Sequence, residues 1–243
     1  MIDLHCHLLP GIDDGPGTVE ESLEIARLAV SSGTRHIVAT PHIRPGIFDN
    51  DIDGIQEAHK VFVRVLAENN IPLSLSVAAE VHICPEVVPM AKSGKLPFLG
   101  ELDGFPVLLL EFPHGHIMPG SDKLVNWLLS EGIRPMIPHP ERNREIISNP
   151  GKIVPFVSQG CLLQVTAGSV AGDFGREAQE VAALFLERGW VTALASDSHN
   201  VRHRPPDLSR GRDAAAALVG EAEAWRLVRA TPLAIAGPVD RVA

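Results

Sequence analysis

The chain has 243 residues, 45% apolar and 21% charged, which gives enough apolar surface for a sizeable core and too little charge bias for a disordered chain. Its formal net charge of −9, with 30 carboxylates against 21 Lys and Arg, argues against a nucleic-acid-binding surface. The three cysteines, Cys6, Cys84 and Cys161, lack zinc-finger spacing, and there is neither a basic leader nor an apolar run near the ~20 residues that span a membrane, so a reducing, cytoplasmic setting without membrane insertion is expected.

Ile2 to Leu4 opens the chain as a short apolar strand. After Thr18, the positions Val19, Leu23, Ala26 and Val30 share one helical face, with Thr18 and Glu21 as a capping box and Gly33 as the stop. Ile37 to Ala39 is the second strand, followed by a helix on Ile55, Phe62 and Val65 and a third strand over Leu73 to Ala78. Val107 to Leu110, Met136 to Ile137, Leu162 to Val165 and Thr192 to Ala195 complete the set of apolar runs typical of buried parallel strands. Between them fall helical patterns on Leu124 and Leu128, on Ile153 and Val157, and on Ala178, Val181 and Phe185, with Gly132, Gly160 and Gly189 placed to end them. The tail after Gly220 reads as a helix and a short Pro-containing end. Seven strands alternating with helices, with no Ser/Gly linker, predict parallel βαβ units in one closed or nearly closed barrel, a single domain over 1–243.

Each strand finishes in residues that a core would not choose: "DLHCH", "VATPH", "VAAEVH", "LLLEF", "IPHPER", "QVTAG" and "LASDSH". In a βα barrel the carboxyl ends of the strands meet on one face, which would bring His5, His7, His42, Glu80, Glu111, His139, Asp197 and His199 into one pocket. His5 and His7 are two apart, as are Asp197 and His199, so in extended backbone each pair points to one side and can chelate. Imidazole nitrogens and carboxylate oxygens suit Zn²⁺, Mn²⁺ or Fe²⁺, and this many ligands implies more than one ion, with Glu80 and Asp197 able to bridge. A lone HxH is common and an isolated strand-end histidine is usually structural; the shared placement carries the reading.

"HCH", "TPH", the Glu after the third strand, "HPER" and "SDSH" resemble the PHP (polymerase and histidinol phosphatase) superfamily. "DLHCHLLPGIDDGP", "LLLEFP", "HPERNREI", "LLQVTAGSVAGDFG" and "ASDSHNVRHRPPDL" are similar to the bacterial manganese-dependent protein-tyrosine phosphatases of capsule and exopolysaccharide gene clusters, over residues 1 to about 210. The resemblance implies a distorted seven-stranded (β/α)7, TIM-like barrel with three metal ions, Mn²⁺ foremost and Fe or Zn also suited. By motif its ligands are His5, His7, Asp14, His42, Glu80, Glu111, His139, Asp197 and His199, and its phosphate-binding arginines are Arg142 and Arg204. Asp14 comes from the resemblance alone, since spacing does not choose it over Asp13. The chain departs from the family pattern at His82, and "FPHGHIM" brings His114 and His116 to the pocket rim. His36, beginning a strand, and His59, on an exposed helix face, read as structural; His203 flanks Arg204.

The implied reaction is hydrolysis of phosphotyrosine, with metal coordination lowering the pKa of a bridging water toward ~7 and no cysteine nucleophile. The implied partner is the Tyr-rich tail of a bacterial tyrosine kinase that regulates capsule or exopolysaccharide synthesis. Alternatives are a histidinol-phosphate or other small-molecule phosphomonoesterase and, in a different class, a metal-stabilised interaction module, which an incomplete ligand set would have signalled. A nuclease role is disfavoured by the absence of a basic, aromatic-interleaved track.

Overall fold

The computed structural model describes residues 1–238, so the last five positions of the expected tail, 239–243, lie outside the described residues. The strands are β1 (Ile2–Cys6), β2 (His36–Ala39), β3 (His42–Ile43), β4 (Ser74–Val77), β5 (Glu80–His82), β6 (Gly100–Leu102), β7 (Phe105–Glu111), β8 (Arg134–Pro138), β9 (Leu162–Thr166) and β10 (Val191–Ala195). The helices are α1 (Val19–Ser31), α2 (Ile52–Glu68), α3 (Val87–Lys92), α4 (Ser121–Ser130), α5 (Arg144–Ser148), α6 (Val154–Gln159), α7 (Ala167–Ala171), α8 (Arg176–Glu187), α9 (Leu208–Val219), α10 (Glu221–Trp225) and α11 (Thr231–Ala236). No helix among the described residues is long and apolar enough to cross a membrane.

All pairings between strands are parallel except the hairpin of β6 and β7. They form two groups, β1-β2-β4 and β10-β9-β8-β7-β5-β3, instead of one continuous closed ladder. The expected second and third strands are present as β2 and β4, and each is followed by a further short strand that was not expected: β3 after the break at Thr40 and Pro41, and β5 after the break at Ala78 and Ala79. Pro41 has no N–H to donate, so the ladder is interrupted there. Contact across the breaks persists through Thr40 N–H to the Cys6 carbonyl at 3.0 Å and Glu80 N–H to the Pro41 carbonyl at 3.1 Å. On its other side β1 meets the segment after β10 through one bridge, Cys6 with Ser198, and through Asp197 N–H to the His5 carbonyl at 2.8 Å.

The sheet is buried on both faces. Leu108, Leu110, Ile137, Leu163, Val165 and Leu194 face the helices and join the main core with Phe62 and Phe185. Phe185 is fully buried, so truncation to Ala would cost about 3–5 kcal/mol. The alternate strand residues Leu4, Val38, Val107, Leu109, Met136 and Ala193 form an inner cluster closed by Leu99 and by Ile235 of α11. Gly100 is obligatory at that closure, because its φ is +144° and a Cβ would sit 1.9 Å from the Ile235 carbonyl oxygen.

Helix α1 starts with the capping box of Thr18 and Glu21. Its buried stripe is Ser22, Leu23, Ile25, Ala26 and Ala29, whereas Val19, placed on that face by periodicity, is 37% exposed at the first turn. His36 is buried between the Ser74 and Ser76 hydroxyls, each 3.0 Å from a ring nitrogen. His59 is half-buried, not exposed, with Nε2 donating to the Leu75 carbonyl at 2.9 Å. The tail carries α10, a π-helical turn over Arg226–Ala230 and α11 where one helix was expected.

Candidate metal centre

The polar cluster stands at the carboxyl ends of the strands, next to the inner apolar cluster. In β7 the inward residues run Val107, Leu109, Glu111, so a step of two turns core into acid. In β1, Leu4 packs in the inner cluster and the very next residue, His5, reaches the polar site; the pairing register with β2 shifts between Asp3 and Cys6, where regular alternation is interrupted. His139 and Asp197 follow β8 and β10 in left-handed conformation, with φ of 38° and 50°, which is costly for residues with a Cβ. Such outliers gather where chemistry requires a particular side-chain direction.

Three histidines have their tautomers set from behind. His5 Nδ1 lies 2.7 Å from Gln164 Oε1, His7 Nδ1 lies 2.7 Å from Asp13 Oδ2, and His199 Nδ1 lies 3.1 Å from the Asp197 carbonyl. Oxygen acceptors oblige each Nδ1 to carry the proton, so each Nε2 offers a lone pair to the centre. His5 Nε2 is 3.2 Å from His7 Nε2, from Glu80 Oε2 and from Asp197 Oδ1. His42 Nδ1 is 3.2 Å from Glu80 Oε2 and 3.9 Å from Glu111 Oε2. Asp14 Oδ1 is 3.5 Å from His42 Nε2 and 3.3 Å from His199 Nε2. His139 Nε2 is 2.7 Å from Glu80 Oε1.

These contacts fall into three overlapping donor groups: His5, His7, Glu80 and Asp197; His7, Asp14, His42 and His199; and His42, Glu80 and Glu111. The structure thus brings eight of the nine ligands expected from the sequence into such groups, with His139 held against Glu80. Asp13, left undecided by spacing, faces away: it accepts from His7 Nδ1 and from the backbone N–H groups of His42 and Gly15. Asp14 is half-exposed and the donor that points outward-in.

Burial opposes charge at Glu80 and Asp197, yet both carboxylates stay ionised. The neighbours His5, His139 and His42 hold the buried Glu80 well below the usual carboxylate range, and Arg142, His5 and Arg204 do the same for the buried Asp197. Burial lowers the His139 pKa to about 4, aided by Arg142 and opposed by Glu80. Arg142 and Arg204 both donate to Asp197 Oδ2. The Arg142 guanidinium also lies 4.7 Å over the Phe174 ring, on the wall of a cleft of about 400 Å³ that Arg204 and His114 share.

His82 Nδ1 is 3.1 Å from Glu111 Oε2, and the His114 ring is 5.3 Å from that of His139. His116 is exposed and outside this cleft, and His203 lines a separate hollow of about 500 Å³ beside Asp14 and His199. Sequence reasoning missed Gln164, Phe174 and Arg144 as site neighbours. Gln164 had a signal, a polar residue among the apolar letters of β9.

The family model for capsular polysaccharide synthesis, CpsB/CapC, matches residues 1–236. The chain belongs to the CpsB/CapC family. Tyrosine-protein phosphatase YwqE of Bacillus subtilis is 38% identical over 205 residues, covering 84% of this chain and 79% of the relative. Tyrosine-protein phosphatase CpsB of Streptococcus pneumoniae is 29% identical over 233 residues, covering 93% and 94%. A crystal structure from the work on YwqE of B. subtilis and CpsB of S. pneumoniae, described as metal-dependent tyrosine phosphatases, superposes with a TM-score of 0.90 at 33% identity, covering 99% of this chain and 97% of the other. The lactonase Lmo2620 of Listeria monocytogenes, at 13% identity and a TM-score of 0.54, shares the fold alone, covering 97% and 94%.

The donor set of this CpsB/CapC protein fits a divalent cation cluster on its own chemistry. Asp197 Oδ1, His42 Nδ1 and His199 Nε2 are buried with no hydrogen-bond partner, an arrangement that costs stability unless a cation takes their lone pairs. Nitrogen and oxygen donors without thiolate suit Mn²⁺, Fe²⁺ and Zn²⁺.

Proposed function

We propose that this protein is a metal-dependent protein-tyrosine phosphatase, working as a single PHP metallophosphatase domain over 1–243, with the two strand groups composing a distorted (β/α)7 barrel. One observation carries the reading: three buried histidines, each with Nδ1 tied to an oxygen, converge on carboxylates shared between donor groups, beside two arginines and an open cleft. His5, His7, Asp14, His42, Glu80, Glu111, His139, Asp197 and His199 would hold three cations, Mn²⁺ foremost, with Glu80 available to two of the donor groups. Bound there, divalent cations would supply neutralisation of phosphoryl charge and a lowered pKa for a nucleophilic water.

The chain's own residues do the rest. Arg142 is fixed by Asp197 and Phe174 and Arg204 by Asp197, so both forks sit where the phosphoryl oxygens arrive, and their remaining N–H groups can make bidentate contacts. Phe174 and Ile147 give the cleft an apolar wall for an aromatic ring. Thiol chemistry is disfavoured: Cys6 is fully buried, and burial pushes the Cys161 thiol up to about 12. A phenol leaves with a pKa near ~10, so tyrosyl phosphate needs less proton donation than an alkyl phosphate. The substrate proposed is the flexible, Tyr-rich tail of a cytoplasmic bacterial tyrosine kinase, in keeping with the family's link to capsular polysaccharide synthesis.

The test is a side-by-side assay, with Mn²⁺, of a phosphotyrosine peptide, a phosphoserine peptide and histidinol phosphate. Turnover should be fastest on phosphotyrosine, vanish on chelation and return with Mn²⁺ better than with Mg²⁺, which prefers oxygen ligands. Faster turnover of histidinol phosphate, or full activity in metal-free protein, would overturn the assignment.

A further inference from the structure

The cleft beside the centre carries a third arginine beyond the two assigned to the phosphoryl group. Arg142 and Arg204 line its inner part and are both engaged by Asp197; Arg144 lines it too, and no carboxylate does. This is unusual ground in a chain of net charge −9. Arg144 is held in place by its backbone. Its N–H donates to the His114 carbonyl at 2.8 Å, and the preceding Asn143 caps α5 through Oδ1 while its Nδ2 donates to the Pro113 carbonyl at 2.7 Å.

Three carboxylates adjacent in sequence to lining residues are committed elsewhere. Glu145 accepts from Ile117 N–H and pairs with Lys152, Asp173 pairs with Arg210, and Glu141 is buried and accepts from Thr166 N–H. Among the described residues no carboxylate lies within ion-pair distance of Arg144, whose side chain is exposed at the cleft.

We infer that Arg144 forms a subsite for an acidic side chain flanking the phosphotyrosine, so that the cleft selects phosphotyrosine in acidic sequence. The inference rests on the phosphatase reading above and deepens it. The phosphotyrosyl ring lies along the Phe174 and Ile147 wall with its phosphate toward Arg142 and Arg204, and the neighbouring carboxylate meets Arg144. Arginine suits the role because its planar fork takes a carboxylate with two N–H groups.

The experiment compares three Mn²⁺-dependent peptide substrates, alike except for acidic, neutral or basic residues flanking one phosphotyrosine. In the wild type, kcat/KM for the acidic peptide should exceed that for the neutral one by about fivefold at low ionic strength, mainly through KM, and the ratio should shrink in high salt. The ratio should fall to about one in Arg144→Ala, survive in part in Arg144→Lys and invert in Arg144→Glu. A wild-type ratio near one, or an acidic preference that persists in Arg144→Ala, overturns the subsite while the phosphatase reading stands. If none of the peptides is hydrolysed, the phosphatase reading fails and takes the subsite with it.

Discussion

His36 offers a quantitative test of the fold away from the metal centre. It starts β2, at the opposite end of the strand from the site, and its ring sits neutral between the Ser74 and Ser76 hydroxyls. Burial, with a smaller contribution from the charge of His59, lowers its pKa from 6.5 to about 4. The unfolded chain therefore takes up a proton near pH 6.5 that the folded chain refuses until about pH 4. The stability tied to neutral His36 is fully present above pH 6.5 and is lost as pH falls toward 4. That loss is about 2 kcal/mol by pH 5 and about 3 kcal/mol once complete. His36→Gln cannot titrate and can still reach a serine hydroxyl, so it should cost about 1 kcal/mol at pH 7.5 and become the more stable protein near pH 5. Urea unfolding of both proteins at a series of pH values, with Mn²⁺ held constant, isolates the term, because protonation of the distant ligands affects both alike. Parallel stability curves from pH 7.5 to 4.5 would refute the reasoning.

Further outcomes concern the site. Arg142→Ala and Arg204→Ala should each lower kcat/KM by on the order of 2–4 kcal/mol of transition-state stabilisation, with the Lys variants nearly as poor, while metal content measured by elemental analysis stays normal; wild-type kinetics would leave phosphate recognition to the metals alone. Gln164→Leu removes the acceptor that orients His5 and should weaken Mn²⁺ binding about 10–100-fold by calorimetry, with Gln164→Glu retaining it; unchanged affinity in the Leu variant would show that His5 needs no such partner. The folded Cys6, Cys84 and Cys161 triple Ser variant should keep most of its turnover, and a phosphocysteine trapped in the wild type would contradict that.

Much of this site is legible in the sequence because position along a parallel strand decides whether an inward residue is apolar or a polar donor. "LLLEF" and "LASDSH" announce the transition directly. The short strands β3 and β5 beyond the two breaks were not read, although Pro41 marks one break, because two or three residues are too few to show a strand pattern. The β6–β7 hairpin had a readable turn in Asp103-Gly104, with φ of 55° and 84°, the pair of positive values that a type I′ turn demands. Helix α9 likewise had its cap in Asp207, whose carboxylate accepts from Ser209 and Arg210 N–H. Asp13 and Asp14 could not be separated by spacing, since adjacent loop residues point where the local backbone sends them.

That backbone shows why both aspartates matter. Gly15 brings the loop against β1 so closely that a Cβ there would lie 2.8 Å from the His7 carbonyl oxygen and 2.9 Å from the His7 Cβ. The close approach lets Asp13 reach behind His7 while Asp14 reaches in front, toward His42 and His199. One acid sets the direction of the His7 lone pair, and the next offers its own oxygen to the same donor group. The candidate ligand and the acid that orients His7 are thus built from one turn, and the geometry of that turn depends on the glycine that follows.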